Sequence, residues 1–539
     1  MRVLEQIRAR FILKPVNTTP PLPVRTTRVI GTVSKCRART HEATNPGVYL
    51  DRIRPTWASS PNPLGYNARV VQTPASGTSK RAVLLVTCSA AFLFPFMGSS
   101  VNVALPRIGE ALSMNTVELA WVATAFLLTS AVLLVPMGRL ADMRGRKSVL
   151  VTGVGIYVLG SIVAALAWTG PVLIVARVVQ GSGGAMLAAT SVAILSNTFG
   201  PGERGKALGI QAASLYSGLS LGPAIGGMLT QAFGWRAVFY VNIPLGLSLF
   251  FAARLFLPHQ EPSSAGVRFD LKGLGAYTVF LVGVMYGVTL LPDATGYISI
   301  AVGLASLAGL IHVERTQSVP LVDVRLFRYN ITFALSNVAA LLNYMATFAA
   351  GFLLSLYLQL VSGLSPQSAG FVLIAMPAIQ AFVSPLAGRL SDRVEPRFLA
   401  SLGMGLTVAA LLMLSQLTPE SPVLHVITGL LTLGLGVGLF SSPNTNAVMT
   451  SVSSKQYGLA AATLSTVRQI GMVFSMGIAT LVLGTVVGQV ELGLTEPRLL
   501  AAAMRLIFII CSIACSFGIL ASLARGQVHH ATISQEGEP

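Results

Sequence analysis

The side chains with most chemistry to offer sit where charge is costly. Arg177 lies inside an apolar run, in the pattern Arg177-x-x-Gln180-Gly181-x-Gly183-Gly184. A guanidinium in hydrocarbon must face a cavity or a partner, or else snorkel to an interface. Arg468, followed by Gln469, is a second cation in an apolar run. Polar residues that could line the same interior are Asn102, Gln180, Gln211, Tyr216, Asn343, Tyr344, Gln359, Gln380, Asn444 and Gln469. Each could equally hold one helix to another. The chain has 19 Asp and Glu, and none falls near the middle of an apolar run. Glu118, at the outer edge of one run, comes nearest, with His425 near the end of another.

Other chemistries lack their residues. No G-x-x-x-x-G-K-[ST] loop exists to cradle nucleotide phosphates, which argues against an ATP-driven pump. The six His are scattered without an H-E-x-x-H array, and the four Cys show no metal spacing. The expectation is therefore a non-enzyme with no cofactor and no metal.

Two kinds of glycine pattern must position these side chains. Gly218-x-x-x-Gly222-Pro223-x-x-Gly226-Gly227 clears one face of a helix at i, i+4 and i+8, and Pro223 opens its hydrogen-bond ladder. A lone GxxxG often marks ordinary packing; the longer pattern carries more. Gly138-Arg-Leu-Ala-Asp142-Met-Arg-Gly145-Arg146-Lys147 reads as a tight turn with close helix approach at its glycines. Asp142 is placed to meet a helix N-terminus or a guanidinium. A plain headgroup anchor explains the basic residues but not Asp142 or the glycines. The pattern recurs as Gly388-Arg-Leu-Ser-Asp392-Arg-Val-Glu395-Pro-Arg, with Glu395 in place of the second glycine.

Composition fixes the setting. Of 539 residues, 53% are hydrophobic and 10% charged, against about 25% charged in soluble domains. Mean hydropathy is +0.70. This describes a polytopic all-α membrane protein. About 20 apolar residues cross a bilayer, and on that measure fourteen spans fit between residues 80 and 525. The eighth, at 297–311, is short; the ninth and thirteenth are long. The two glycine-aspartate loops stand eight spans apart, which points to two six-helix halves separated by two inserted helices. The expected divisions are a basic, disordered extension at 1–79, a six-helix bundle at 80–257, a linker with two spans at 258–331, a second bundle at 332–525 and a tail at 526–539. Lys and Arg concentrate in alternate connections, where Arg107, Arg236, Arg498 and Arg505 are the exceptions, so both termini are expected in the cytoplasm. Net charge is +18, with much of the excess before residue 80. That favours an anionic membrane face over nucleic acid as partner. The same segment also has the character of a transit peptide or of a misassigned start.

The loop at 138–150 is similar to the signature loop of the major facilitator superfamily. Trp121 with the residues after it, Gly234-Trp235-Arg236, Asn242-Ile-Pro244, Pro320-Leu-Val-Asp323, Tyr357-Leu-Gln359 and Arg468-Gln469-Ile-Gly471 further resemble its 14-span drug–proton antiporters. The resemblance covers residues 80–525. It implies a major facilitator fold with a central cavity, and a gating role for Gly138, Asp142, Gly145, Arg146, Lys147, Gly388 and Asp392. It also implies an antiporter motif at Gly218, Gly222, Pro223, Gly226 and Gly227. Arg177 would handle substrate or protons, alongside Gln180, Asn102, Glu118, Tyr216, Asn343, Gln380 and Arg468. The implied function is export of small organic molecules or drugs across the cytoplasmic membrane, coupled to protons.

One departure opens a second reading. Span 1 ends Phe96-Met97-Gly98-Ser99-Ser100-Val101-Asn102-Val103-Ala104-Leu105-Pro106, and Met97 stands where the family carries its membrane-embedded Asp. Proton antiport would then need another site, at Glu118 or at water near Arg177. Otherwise the chain performs facilitated efflux or exchange of neutral or anionic compounds. A non-transporting membrane sensor is the third class.

Overall fold

Long apolar stretches satisfy their backbone groups in lipid by coiling into helices, and helices are the only regular elements among the described residues. The computed structural model describes residues 80–258, 270–316, 324–453, 456–488 and 496–526. The expected extension at 1–79 and nearly all of the expected tail lie outside the described residues.

Among the described residues, fourteen long helices run in sequence. The first six are α1 (Lys80–Leu112), α2 (Thr116–Arg144), α3 (Arg146–Ala165), α4 (Gly170–Thr198), α5 (Pro201–Phe233) and α6 (Ala237–Phe256). An inserted pair follows, α7 (Leu271–Thr289) and α8 (Ala294–Thr316), then a short helix at Val324–Tyr329. The last six are α9 (Ile331–Val361), α10 (Pro366–Ser391), α11 (Pro396–Leu414), α12 (Val423–Thr450), α13 (Tyr457–Val486) and α14 (Pro497–Ala524).

Thirteen of these are long and apolar enough to cross a membrane. The fourteenth, α5, has 33 residues, but glycines, serines and early charges dilute its hydropathy. Packing supplies what composition withholds, because its glycine face is pressed against α1. The short eighth stretch is a full 23-residue helix, since polar residues at both ends continue the coil. Arg498 and Arg505, read from sequence as lying in a connection, belong to α14, which starts at Pro497. Proline at a first helical position has no N–H to lose and a pre-set φ, so the helix begins earlier than its apolar core.

Helices α1, α3, α4 and α6 share a core in which Val86, Leu93, Val154, Val158, Leu187 and Leu249 interlock. The inserted pair lies against α2 and α13: the Tyr277 hydroxyl donates to Ala131 O at 3.3 Å, and Met285 sits beside Gly477. Within α9 the last turn widens into a π-helix at Tyr357–Val361, where Ser362 N bonds Tyr357 O at 2.9 Å.

Candidate functional site

Two polar clusters occupy the interior. The first lies within the first bundle. Arg177 is buried, 1% exposed, and its Nε donates to Val122 O at 3.0 Å. Its Nη1 donates to Gln180 Oε1, and its guanidinium lies 4.2 Å from the centre of the Phe126 ring. Gln180 Nε2 in turn donates to Ser161 Oγ at 2.8 Å. A guanidinium offers five donors in a fixed fork; here a carbonyl, an amide and a ring face answer them, with no carboxylate. Beside this lies a second chain of bonds. The Tyr157 hydroxyl donates to Asn242 Oδ1 at 2.9 Å, while Asn242 Nδ2 donates to Val238 O at 2.8 Å and meets Met97 Sδ at 3.0 Å. At the place of the expected acid, a thioether rests on an amide. The glycines of α4 let this happen: a Cβ on Gly181 would lie 2.5 Å from Phe126 O.

The second cluster spans the two bundles. Arg468 Nη2 donates to Thr445 Oγ1 at 2.5 Å, and its guanidinium lies 5.5 Å from the Tyr344 ring centre. The Tyr344 hydroxyl is 3.5 Å from Ser441 Oγ. From α5, Tyr216 lies near Ser441, Ser384, Tyr344 and Arg468. Gln380 stands one turn from Ser384 on the same face of α10. Arg468 Nε, Gln469 Oε1 and Gln380 Oε1 are buried and make no hydrogen bond among the described residues. Buried polar atoms left unpaired cost about 1–3 kcal/mol each, so a polar solute that met them would be held.

The glycine motif of α5 works on two partners. A Cβ on Gly218 would lie 2.4 Å from Phe92 O, and one on Gly226 would lie 2.7 Å from Ser100 Cα, so these residues clamp α1. Gly222 belongs to the same face, and Ser100 Oγ donates to Gly222 O at 3.0 Å. Gly227 faces the other bundle: a Cβ there would lie 2.4 Å from Pro366 O. Across from it, a Cβ on Gly370 of α10 would lie 2.2 Å from Pro223 O. The motif thus lays bare backbone against bare backbone at the seam between bundles.

Further seam contacts cluster on the same side, away from the basic connections. Gln359 Nε2, turned by the π-helix, donates to Val103 O at 2.9 Å. Thr116 Oγ1 donates to Gly488 O at 3.1 Å, and Asn102 faces Gly351. On the basic side, Ile210 and Leu215 of α5 and Phe382 and Leu390 of α10 are exposed. The seam between the bundles is closed on the side away from the basic connections.

The signature loop stays within its own bundle. Gly145, at φ +91°, joins α2 directly to α3, a backbone conformation that L side chains rarely adopt. Arg146 Nη2 meets Asp142 Oδ1 at 3.0 Å, its Nη1 donates to Ala193 O of α4 at 3.0 Å, and Lys147 Nζ donates to Leu257 O at 2.5 Å. The close approach expected at Gly138 is absent, since a Cβ there would meet only Ala189 Cβ at 3.9 Å. Gly388 likewise has room. In the second copy Glu395 adopts φ −48°, so that turn needs no glycine; Asp392 is exposed and forms no ion pair among the described residues.

Two expected pathway residues lie elsewhere. Asn343 is fully buried beside Cys515 of α14, inside the second bundle rather than in the cleft. Glu118 caps α2: its Oε2 accepts from Asn115 N at 3.1 Å, and its own N donates to Asn115 Oδ1 at 2.9 Å. Glutamine also serves in such a capping box. Glu118→Gln is therefore expected to leave transport and its pH dependence unchanged, while Glu118→Ala lowers stability by about 1 kcal/mol. Flux and thermal melting of the two variants check this, and a lost pH response in the Gln variant would restore Glu118 as a proton site.

Sequence reasoning missed Arg525. It stands at the very end of the expected second bundle and was not among the candidate site residues, yet it is fully buried, with Nη1 donating to Asn444 Oδ1 at 2.8 Å. Its position just past an apolar run gave no sign of this.

With this geometry in view, comparison with known proteins is informative. A family model described as the Major Facilitator Superfamily matches residues 87–476 and 336–538. The chain is 31% identical over 401 residues to the riboflavin transporter RibZ of Clostridioides difficile, covering 74% of this chain and 87% of that protein. It is 33% identical over 426 residues to the multidrug resistance protein Stp of Mycobacterium tuberculosis, covering 77% of each. It is 32% identical over 424 residues to the cephamycin export protein CmcT of Amycolatopsis lactamdurans, covering 77% and 87%. Among solved structures, a bacterial homolog of the human lysosomal transporter Spinster, inward-facing and unoccupied, aligns with a TM-score of 0.58 at 19% identity, covering 82% of this chain and 97% of that one.

Proposed function

Because the chain belongs to the Major Facilitator Superfamily, a family of multi-pass membrane transporters, we propose that it exports small organic molecules by rocking its two bundles about the central cleft. The termini face the cytoplasm in this reading, so the side on which the seam is closed is the outer one. Relatives named for multidrug resistance and cephamycin export support the outward direction.

The observation that carries the reading furthest is the acid-free cleft. Tyr216, Ser384, Ser441, Tyr344 and Arg468 converge there, with one cation and no carboxylate among the described residues. A lipophilic cation entering such a cleft would leave water without a compensating charge. The substrates are therefore neutral or anionic, and transport proceeds without a titratable acid at mid-membrane. In reconstituted vesicles, Arg468→Gln is expected to lower uptake of anionic compounds about tenfold, the loss of one charge-assisted hydrogen bond, and to spare neutral ones. Equal transport of cations, or equal loss for every compound, would count against it. A second reading, proton-coupled antiport, is favoured by the glycine motif of α5; it requires a proton carrier other than Met97, and flux under an imposed pH gradient separates the two.

A further inference from the structure

The inserted helices enclose a cavity that the export reading does not use. It measures about 170 Å³ and lies between α2, α7, α8, α13 and the short helix at Val324–Tyr329. Tyr277, Phe280, Leu310, Phe327, Thr463 and Thr466 are among its walls. Two of its three hydroxyls are turned to backbone: Thr466 Oγ1 donates to Ala462 O at 2.9 Å and the Tyr277 hydroxyl to Ala131 O. Sites for small organic ligands carry a few placed polar groups that orient the guest, and this one offers almost none. An engineered apolar cavity of similar size, about 150 Å³, takes up benzene, so the space suits a length of hydrocarbon chain.

Its depth says which hydrocarbon. Val135, Phe280, Leu310 and Thr463 each lie about 9–14 Å, at 1.5 Å per residue, from the basic-side end of their helix. Half a hydrocarbon core is about 15 Å. The cavity therefore sits mostly within one leaflet, only Ile470 among its walls lying deeper than the bilayer midplane. Val135, Leu307, Ile311, Phe327 and Val467 are only partly buried, so it communicates with the surface. Toward the headgroups two cations flank it: Arg139, one turn beyond Val135 on the same face of α2, and Arg328, next to Phe327 and exposed. Neither forms an ion pair among the described residues.

We propose that this cavity binds one acyl chain of an anionic phospholipid from the leaflet on the basic side, with the lipid phosphate held by Arg139 and Arg328. The lipid sits at the seam, because α2 and α13 belong to opposite bundles. The site stands apart from the transport cleft, and its test reads binding rather than flux, so it does not depend on the export reading.

The test is native mass spectrometry of the full chain, extracted from vesicles of equal phosphatidylglycerol and phosphatidylethanolamine. The wild type is expected to keep one phosphatidylglycerol. Thr463→Phe and Leu310→Trp each fill the cavity and are expected to lower that occupancy at least tenfold, at unchanged melting temperature. Arg139→Gln with Arg328→Gln is expected to abolish the preference for phosphatidylglycerol. A Phe327→Trp reporter in intact vesicles gives a second readout, quenched by phospholipids brominated along the chain and protected by Leu310→Trp. Equal lipid retention in wild type and both filled variants would overturn the proposal. So would retention without headgroup preference, or a reporter that brominated chains do not quench beyond the bulk bilayer.

Discussion

Gly227→Ala is expected to cripple transport while the protein still folds. The added Cβ would stand 2.4 Å from Pro366 O, and that atom is backbone, which cannot swing aside. Because Gly227 faces the opposite bundle, the clash falls on closure of the seam and not on the core of either half. Overpacking of this sort costs about 1–3 kcal/mol, which shifts the balance between open and closed seam by about 5- to 150-fold. Gly370→Ala, meeting Pro223 O from the other side, is expected to behave alike. Gly226→Ala differs, since it strikes Ser100 within the first bundle and lowers stability as well. The measurement is flux beside melting temperature: a Gly227 variant that transports normally would mean the seam does not close there.

Arg177→Ala is expected to show the second large effect. Arg177 is 1% exposed, so solvent does not screen its interactions. Its loss strands Gln180 Oε1, at about 1–3 kcal/mol for a buried acceptor left unpaired, takes the extra bond from Val122 O, and removes the cation from the Phe126 face. Transport is expected to fall more than tenfold for every substrate. Arg177→Lys keeps the charge but not the fork that holds Val122 and Gln180 together, and is expected to recover stability more than transport. If Arg177→Lys transports like wild type, charge alone suffices and the fork has no role. If Arg177→Ala transports unchanged, the cluster is scaffolding.

Much of the architecture was legible in residue patterns. Helix number, the inserted pair and the cleared face of α5 followed from apolar length, repeat spacing and glycines four apart; that α1 is the partner of that face did not. What stayed hidden depends on partners distant in the chain. Nothing near Tyr216 in sequence announces that it lies near Ser441 and Ser384, and nothing near Gly227 tells it from Gly226, although they face different bundles. Gln359 reaches Val103 only because a π-turn rotates it. Asn242 lies within a quoted motif, but its meeting with Met97 needs α1 and α6 side by side. Gly138 misled in the opposite sense, its type suggesting a close approach that packing does not make.

Met97, at the place where the family resemblance leads one to expect an acid, bears on how transport is driven. The most direct measurement is flux of a neutral and an anionic compound into everted vesicles, first with a pH gradient imposed and then with it collapsed. A cleft without a carboxylate should carry solute down its own gradient at the same rate in both conditions. Flux that stops when the pH gradient is collapsed would contradict this account and place a proton carrier in the cleft.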